Sequence, residues 1–260
     1  MSRPDCAFAF AQARLQARLG SRPTAADWQR LHATRDLGGL LQTAGTTALA
    51  PWTRDLTART PVHEAEQKLR RRWLAHVDEV AAWQPAAWRD AIAWLRWLPY
   101  LPSLQKLARG GKSPEWMRSD PVLGPVVAED PRQRAASLQR MAFAPLAAGF
   151  APRSGAPDVM GAWLRHWRSL WPMRVPNEVP LERVLKQVLA ARAEIAAAPE
   201  SVVSAQTLGR LERRLLVALR RNPLSPVATV AWLGLAALDL MRMRGSVALR
   251  ALHGASEPRA

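Results

Sequence analysis

Apolar residues recur along most of this chain three and four positions apart, the spacing that gathers them on one face of an α-helix. The clearest run is Leu181, Val184, Leu185, Val188, Leu189 and Ile195, and Val62 to Trp83 repeats the pattern with Leu69, Trp73, Val77 and Val80. The first helix is expected from about Asp5 to Leu19, with Phe8, Ala11, Leu15 and Leu19 on one face and Gly20 closing it. Thr24 is placed to cap a second helix reaching Ala33, and Asp36 a third that holds Leu37, Leu40 and Leu41. Gly45 to Pro51 reads as a loop. Pro85 opens a helix to about Trp97, Pro99 and Pro102 interrupt it, and Ser103 to Arg109 adds further turns. Residues 132–149 look helical, Gly149 to Pro157 is a loop, Asp158 caps a helix to about Trp171, and another runs from Val202 to Arg221. No alternating β-branched pattern competes with these, so the expected fold class is all-α.

The stretch from Val227 to Met241 departs from the amphipathic rule. It is apolar on nearly every face, broken only by Thr229, Gly234 and Asp239. A helix of that kind is buried in protein or crosses a membrane. It falls short of the roughly 20 apolar residues of a span and carries an acid, so it reads as the central helix of a helical domain. Gly245 is expected to kink or end it before a last segment, Val247 to Leu252. A buried Asp239 needs a cation, and Arg242, one turn on, is the simplest partner; an interface or switch role is the alternative.

Gly110 to Pro131 holds four prolines and three glycines and is the best linker candidate. The expected organisation is an N-terminal helical repeat over residues 1–109, a linker over 110–131, a C-terminal helical repeat over 132–253 and a disordered tail over 254–260.

Composition adds a strong charge. With 37 Lys and Arg against 21 Asp and Glu, the 260-residue chain carries a formal +16. That balance attracts acidic partners: nucleic acid, anionic lipid or an acidic protein. Only Lys68, Lys106, Lys112 and Lys186 are lysines, a skew that also follows from GC-rich coding. Cys6 is the single cysteine, which excludes an internal disulfide framework and suits a reducing compartment. The opening MSRPDCAFAFAQARL lacks the apolar core of a signal peptide, so a cytoplasmic location is expected.

Candidate chemistry is sparse. Gly110-Gly111-Lys112-Ser113 resembles the tail of a phosphate-binding loop, but Lys106 stands where that loop needs its first glycine and no strand precedes it. His63-Glu64-Ala65-Glu66-Gln67 has Gln67 in place of the second histidine of a zinc helix. No Gly-x-Ser-x-Gly elbow occurs, and most acids share a helix face or cap with arginine, as Asp78 and Glu79 do near Arg72. No catalytic residue, cofactor site or metal site is expected. Trp73, Trp83, Trp88, Trp94 and Trp97 crowd one region, and Trp163, Trp167 and Trp171 recur at helical spacing. Core packing is the plainer reading of these, a base-stacking platform the alternative. Arg70 to Arg72, and Arg213 and Arg214 with Arg220 and Arg221, read as solvated faces, with a nucleic-acid surface as the alternative.

Two stretches together resemble the C/d-type coupling-subunit family of V-type and A-type rotary ATPases. The first, FAFAQARLQARLGSRPTAADWQRLHATRDLGGLLQTAGTTAL, supplies the aromatic-Ala-aromatic-Ala opening with Phe8 and Phe10 and the spaced Arg14 and Arg18. Trp28, Leu31, Leu37, Leu40, Leu41 and the Thr46–Thr47 pair continue it. The second is Pro226, the apolar helix, Asp239, Arg242, Arg244 and Gly245. WLPYLPSLQKLARGGK is similar to a degenerate copy of that unit. The resemblance implies a funnel- or socket-shaped, all-helical, non-catalytic protein, peripheral on the cytoplasmic face of the membrane. Its partners would be the central-stalk subunits and the membrane rotor ring of an ion-translocating ATPase, with the anionic membrane surface beside it. Arg14, Arg18, Asp239, Arg242 and Arg244 are the interaction residues it implies. A basic helical nucleic-acid-binding protein is the alternative.

Overall fold

A computed structural model describes residues 7–127, 131–150, 156–175, 177–197 and 202–256, and it is all-α: no strand occurs among the described residues. The expected Asp5 start of the first helix and Cys6 lie outside them. The chain divides into two compact units, Met1–Arg89 with Arg174–Ala260, and Asp90–Met173.

The first unit holds α1 (Ala9–Gly20), α2 (Ala25–Ala33), α3 (Leu37–Gly45), α4 (Ala50–Thr53), α5 (Val62–Ala82), α12 (Glu178–Ala197), α13 (Val202–Arg221) and α14 (Pro226–Ser256). Its helix starts are set locally. Thr24 Oγ1 accepts from the Asp27 N–H while Asp27 accepts from the Thr24 N–H, a reciprocal capping box. The Asp36 carboxylate accepts from the Gly39 N–H at 2.8 Å to start α3. The short α4 begins at the end of the expected Gly45–Pro51 loop and buries Trp52 just past it.

Around α14 pack α1, α3, α5, α12 and α13. Val227, Ala228, Ala231, Leu235 and Met243 are fully buried. The stretch Pro226–Leu252 is long and apolar enough to cross a membrane, yet 72% of its most apolar window is covered by protein. Helix α14 does not break at Gly245 as expected; it runs on to Ser256. A helical glycine costs roughly 1 kcal/mol, and burial of Ser246, Val247 and Arg250 just beyond it holds the helix together. The residues to Ser256 of the expected tail therefore belong to α14, and residues 257–260 lie outside the described set. At Gly234 a Cβ would stand 3.0 Å from Leu215 Cδ1, so the glycine lets α13 and α14 approach closely.

Helix α6 (Ala86–Trp94) carries the chain to the second unit. That unit contains α7 (Leu101–Ala108), α8 (Glu115–Ser119), α9 (Pro131–Gln139), α10 (Ala147–Phe150) and α11 (Val159–Ser169), with 3₁₀ turns at Leu95–Tyr100, Gly124–Val126 and Ala144–Leu146. Gln105 ties α7 to the start of α11, donating to the Pro157 carbonyl at 2.8 Å and accepting from the Val159 N–H at 3.0 Å. Trp163 stacks between Trp94 and Trp167, and Trp167 Nε1 donates to the Ala91 carbonyl at 2.8 Å. Of the eight tryptophans in the packing reading, Trp73, Trp83, Trp88, Trp94, Trp163 and Trp167 are buried, and Trp97 and Trp171 are half-buried.

The division by contact falls elsewhere than the expected linker at 110–131. Prolines there punctuate short helices and a turn, and Met117, Leu123 and Val126 are buried. Asp120 accepts from the Val122 and Leu123 N–H groups at 2.9 and 3.0 Å, fixing the turn. Because α14 packs on α1, α3 and α5, residues from both sides of the 90–173 stretch form one unit.

Candidate functional site

A cavity of about 650 Å³ opens in the first unit between the end of α1, the start of α2, the α3–α4 turn, α5 and α14. Trp52 and Trp232 give it apolar walls, and Arg18, Arg22, Arg54 and Arg72 bring four guanidinium groups to it. Of the five expected interaction residues, Arg18 and Asp239 line it.

Asp239 is 4% exposed. Its main partner is not Arg242 but Arg22, 217 positions away in the turn after α1: Nε and Nη2 donate to the two carboxylate oxygens at 2.7 and 2.8 Å. A planar fork on a carboxylate is the strongest arrangement open to this pair, whereas Arg242 comes only within 3.9 Å. Arg22 also contacts Glu212 of α13 at 2.8 Å, and Glu212 holds Arg242 at 2.5 Å. Two acids and two arginines thus clamp the α1–α2 turn, α13 and α14. Burial, the largest influence on Asp239, pushes its carboxyl above the ordinary value, against the pull of Arg22. Burial also works to lower Arg22, but the hydrogen bond and charge of Asp239 and the charge of Glu212 outweigh it and hold the guanidinium charged. Burial likewise opposes the ionised Glu212, and Arg242 and Arg22 together keep its carboxyl below the usual value.

At the rim Arg18 pairs with Glu79 at 2.6 Å and lies over the Trp83 ring, 4.7 Å from its centre. Arg72 pairs with Asp55. Arg72 and Glu79, expected on one helix face, each pair outside α5, Glu79 with α1 and Arg72 with the turn after α4. Arg54 is exposed and makes no ion pair among the described residues. His76 sits in the wall among Trp52, Trp73 and Trp232, with ring centres 5.3, 6.4 and 6.4 Å away. Its Nδ1 lies 3.4 Å from Arg18 Nη1, so it accepts there and the ring proton belongs on Nε2. Burial first, and the Arg18 charge second, lower its pKa from 6.5 to about 4, so the ring is neutral at pH 7.

The acids and hydroxyls around the cavity are engaged in structure. Asp27 accepts from Thr24 and Arg30, and the Thr46 and Thr47 hydroxyls donate to the Thr43 and Ala44 carbonyls at 2.9 Å. What remains along the cavity is two indole walls, an Arg54 with no ion pair among the described residues and a neutral imidazole. Compared with protein-family models, curated proteins and solved structures, the chain matches none.

The other expected interaction residues do not line the cavity. Arg14 lies over the rings of Phe10 and Trp83, at 4.8 and 5.4 Å. Arg244 forks onto Glu66 at 2.8 and 2.5 Å, and Arg70 shares the same carboxylate at 2.9 Å, joining α14 to α5. Arg70 is 5% exposed and Arg72 is half-buried, so of the expected solvated face Arg70 to Arg72 only Arg71 is exposed. The Glu66 contacts also use up the zinc-like stretch, and no metal-ligand cluster exists among the described residues. Gly110, with φ 75°, ends α7, and the Gly111 N–H returns to the Lys106 carbonyl at 3.0 Å. The phosphate-loop look-alike is a helix C-cap.

Arg250 escaped sequence reasoning altogether. Buried on α14, it donates to the Leu31, His32 and Thr34 carbonyls at 3.0, 3.1 and 2.8 Å and so caps the end of α2. Its only signal was a cation on the inner face of the last segment.

Proposed function

We propose that the chain is a non-catalytic coupling component of a V-type or A-type ion-translocating rotary ATPase, seated at the cytoplasmic face of the membrane between the central stalk and the rotor ring. In this reading the cavity of the first unit is the socket that receives the stalk. The observation that carries it is the joining of the two resemblance-bearing stretches: Arg18, from the first, and Asp239, from the last, line one cavity, and Arg22 locks them together. A part that transmits torque needs its receiving surface tied across the whole body, and buried fork-and-carboxylate pairs give such a tie little freedom. Exposed arginines would each gain roughly 1 kcal/mol beside an anionic leaflet.

The test is co-purification. Affinity-tagged protein expressed in its own cells should bring down stalk and ring subunits from solubilised membranes, and Arg54→Glu, at the exposed lining position, should weaken that capture. Protein recovered without them, together with unchanged ATP-driven ion uptake in cells lacking it, would overturn the proposal. Retention on DNA or RNA that falls steeply with salt would point to nucleic acid instead.

A further inference from the structure

A second concavity, of about 320 Å³, lies between α12 and α13 and shares no lining residue with the first. Arg183 stands on one wall and Arg213, Arg214 and Arg221 on the other. All four are exposed, and none makes an ion pair among the described residues, although the Arg214 charge reaches Glu194 of α12. That sets them apart from Arg18, Arg22, Arg70, Arg72, Arg242 and Arg244, each paired with an acid in the same unit. On α13 the spacing of Arg214, Val217 and Arg221 puts them along one face, and Val217 is 47% exposed between the cations. Val184 lies beneath, buried.

From this groove we infer a docking site for an acidic segment of a partner protein, one that brings an apolar side chain down onto Val217 and carboxylates up to the arginines. Four like charges on facing helices repel one another, and carboxylates relieve that repulsion while accepting two-pronged guanidinium contacts. The apolar floor selects among polyanions. A single-stranded nucleic acid would look for aromatic rings on which to stack, and no ring among the described residues lines the groove. A bilayer would need an apolar face that protrudes, and this surface is recessed. A short amphipathic acidic helix or strand satisfies both walls and floor, the groove mode of peptide recognition. The site is independent of the stalk socket and stands whether or not that assignment does.

Fluorescence anisotropy at low salt measures it, with a labelled Glu/Leu peptide as probe. Glu/Ser and Lys/Leu peptides, an oligo-dT strand and phosphatidylserine–phosphatidylcholine vesicles serve as competitors. The Glu/Leu peptide should bind tightest of these. Arg213→Glu with Arg214→Glu should weaken it by about tenfold or more. Val217→Ser, which leaves the charge unchanged, should weaken it by about fivefold. These side chains are exposed, so far-UV circular dichroism should show an unaltered fold. The inference is overturned if Glu/Ser binds as well as Glu/Leu, or if Val217→Ser binds like the parent. It is equally overturned if oligo-dT or vesicles displace the peptide in preference to free peptide.

Discussion

Acidification offers a direct test of the His76 environment. In the folded chain its pKa is about 4 against 6.5 in the open chain, because the ring is shut away from water and faces the Arg18 charge. Between those values the unfolded chain takes up a proton that the folded chain refuses. The stability due to a neutral His76 is therefore complete above pH 6.5 and drains away as pH falls towards 4. At about 1.4 kcal/mol for each pKa unit, the full shift corresponds to roughly 3 kcal/mol, of which about 2 should be gone by pH 5. A change of that size should lower Tm by roughly 4–8 °C in a chain of this length. Thermal unfolding at pH 7, 6 and 5 would be followed for the native protein and for His76→Gln. Burial lowers the pKa of His166 too, so its contribution falls in the same direction in both proteins and cancels in the difference. The native protein should lose stability faster than the variant between pH 7 and 5. Parallel losses, or a His76 resonance titrating near 6.5, would refute the reasoning.

Three further outcomes follow from the packing. Asp239→Ala leaves Arg22 buried with only Glu212, and should cost about 3 kcal/mol in chemical denaturation. Adding Arg22→Met to Asp239→Leu should recover part of the loss, and a single-variant cost under about 1 kcal/mol would show that the clamp is slack. Arg250→Ala strips the end of α2 of its charged donors and should cost about 3 kcal/mol; Arg250→Lys, which cannot span three carbonyls, should restore less than half, and full restoration by lysine would contradict the capping role. Gly234→Val drives a branched side chain against Leu215 and should cost about 1–3 kcal/mol by the same assay, so an unchanged midpoint would mean that α13 and α14 are not in close contact.

Helices were readable because their signals are local. Thr24, Asp36 and Asp158 cap where expected, Asp158 accepting from the Gly161 N–H at 2.7 Å. The faces bearing Leu69, Trp73, Val77 and Val80, and Phe8, Ala11 and Leu15, are the ones buried. Pairings between distant helices were not readable. The depth of Asp239 in an apolar helix called for a cation, but in a chain full of arginine no spacing rule picks Arg22 over Arg242. Glu66, four positions before Arg70, offered it a partner that Arg213 lacks, but the second cation on that carboxylate, Arg244, was not readable. The linker expectation failed for a related reason: prolines report that a helix stops, whereas the division into units depends on which helices later meet. Nor did the sequence mark His76, because three tryptophans from separate helices create its surroundings.

The tie between Arg22 and Asp239 has a consequence for synthesis. When the first 89 residues have left the ribosome, the helix they are to wrap has not yet been made. Arg22 and the α2 carbonyls must wait, uncapped, until the last segment emerges. A ribosome that stalls or stops early would therefore release an N-terminal portion with its apolar faces open to water, a substrate for chaperones and proteases and not a smaller working part.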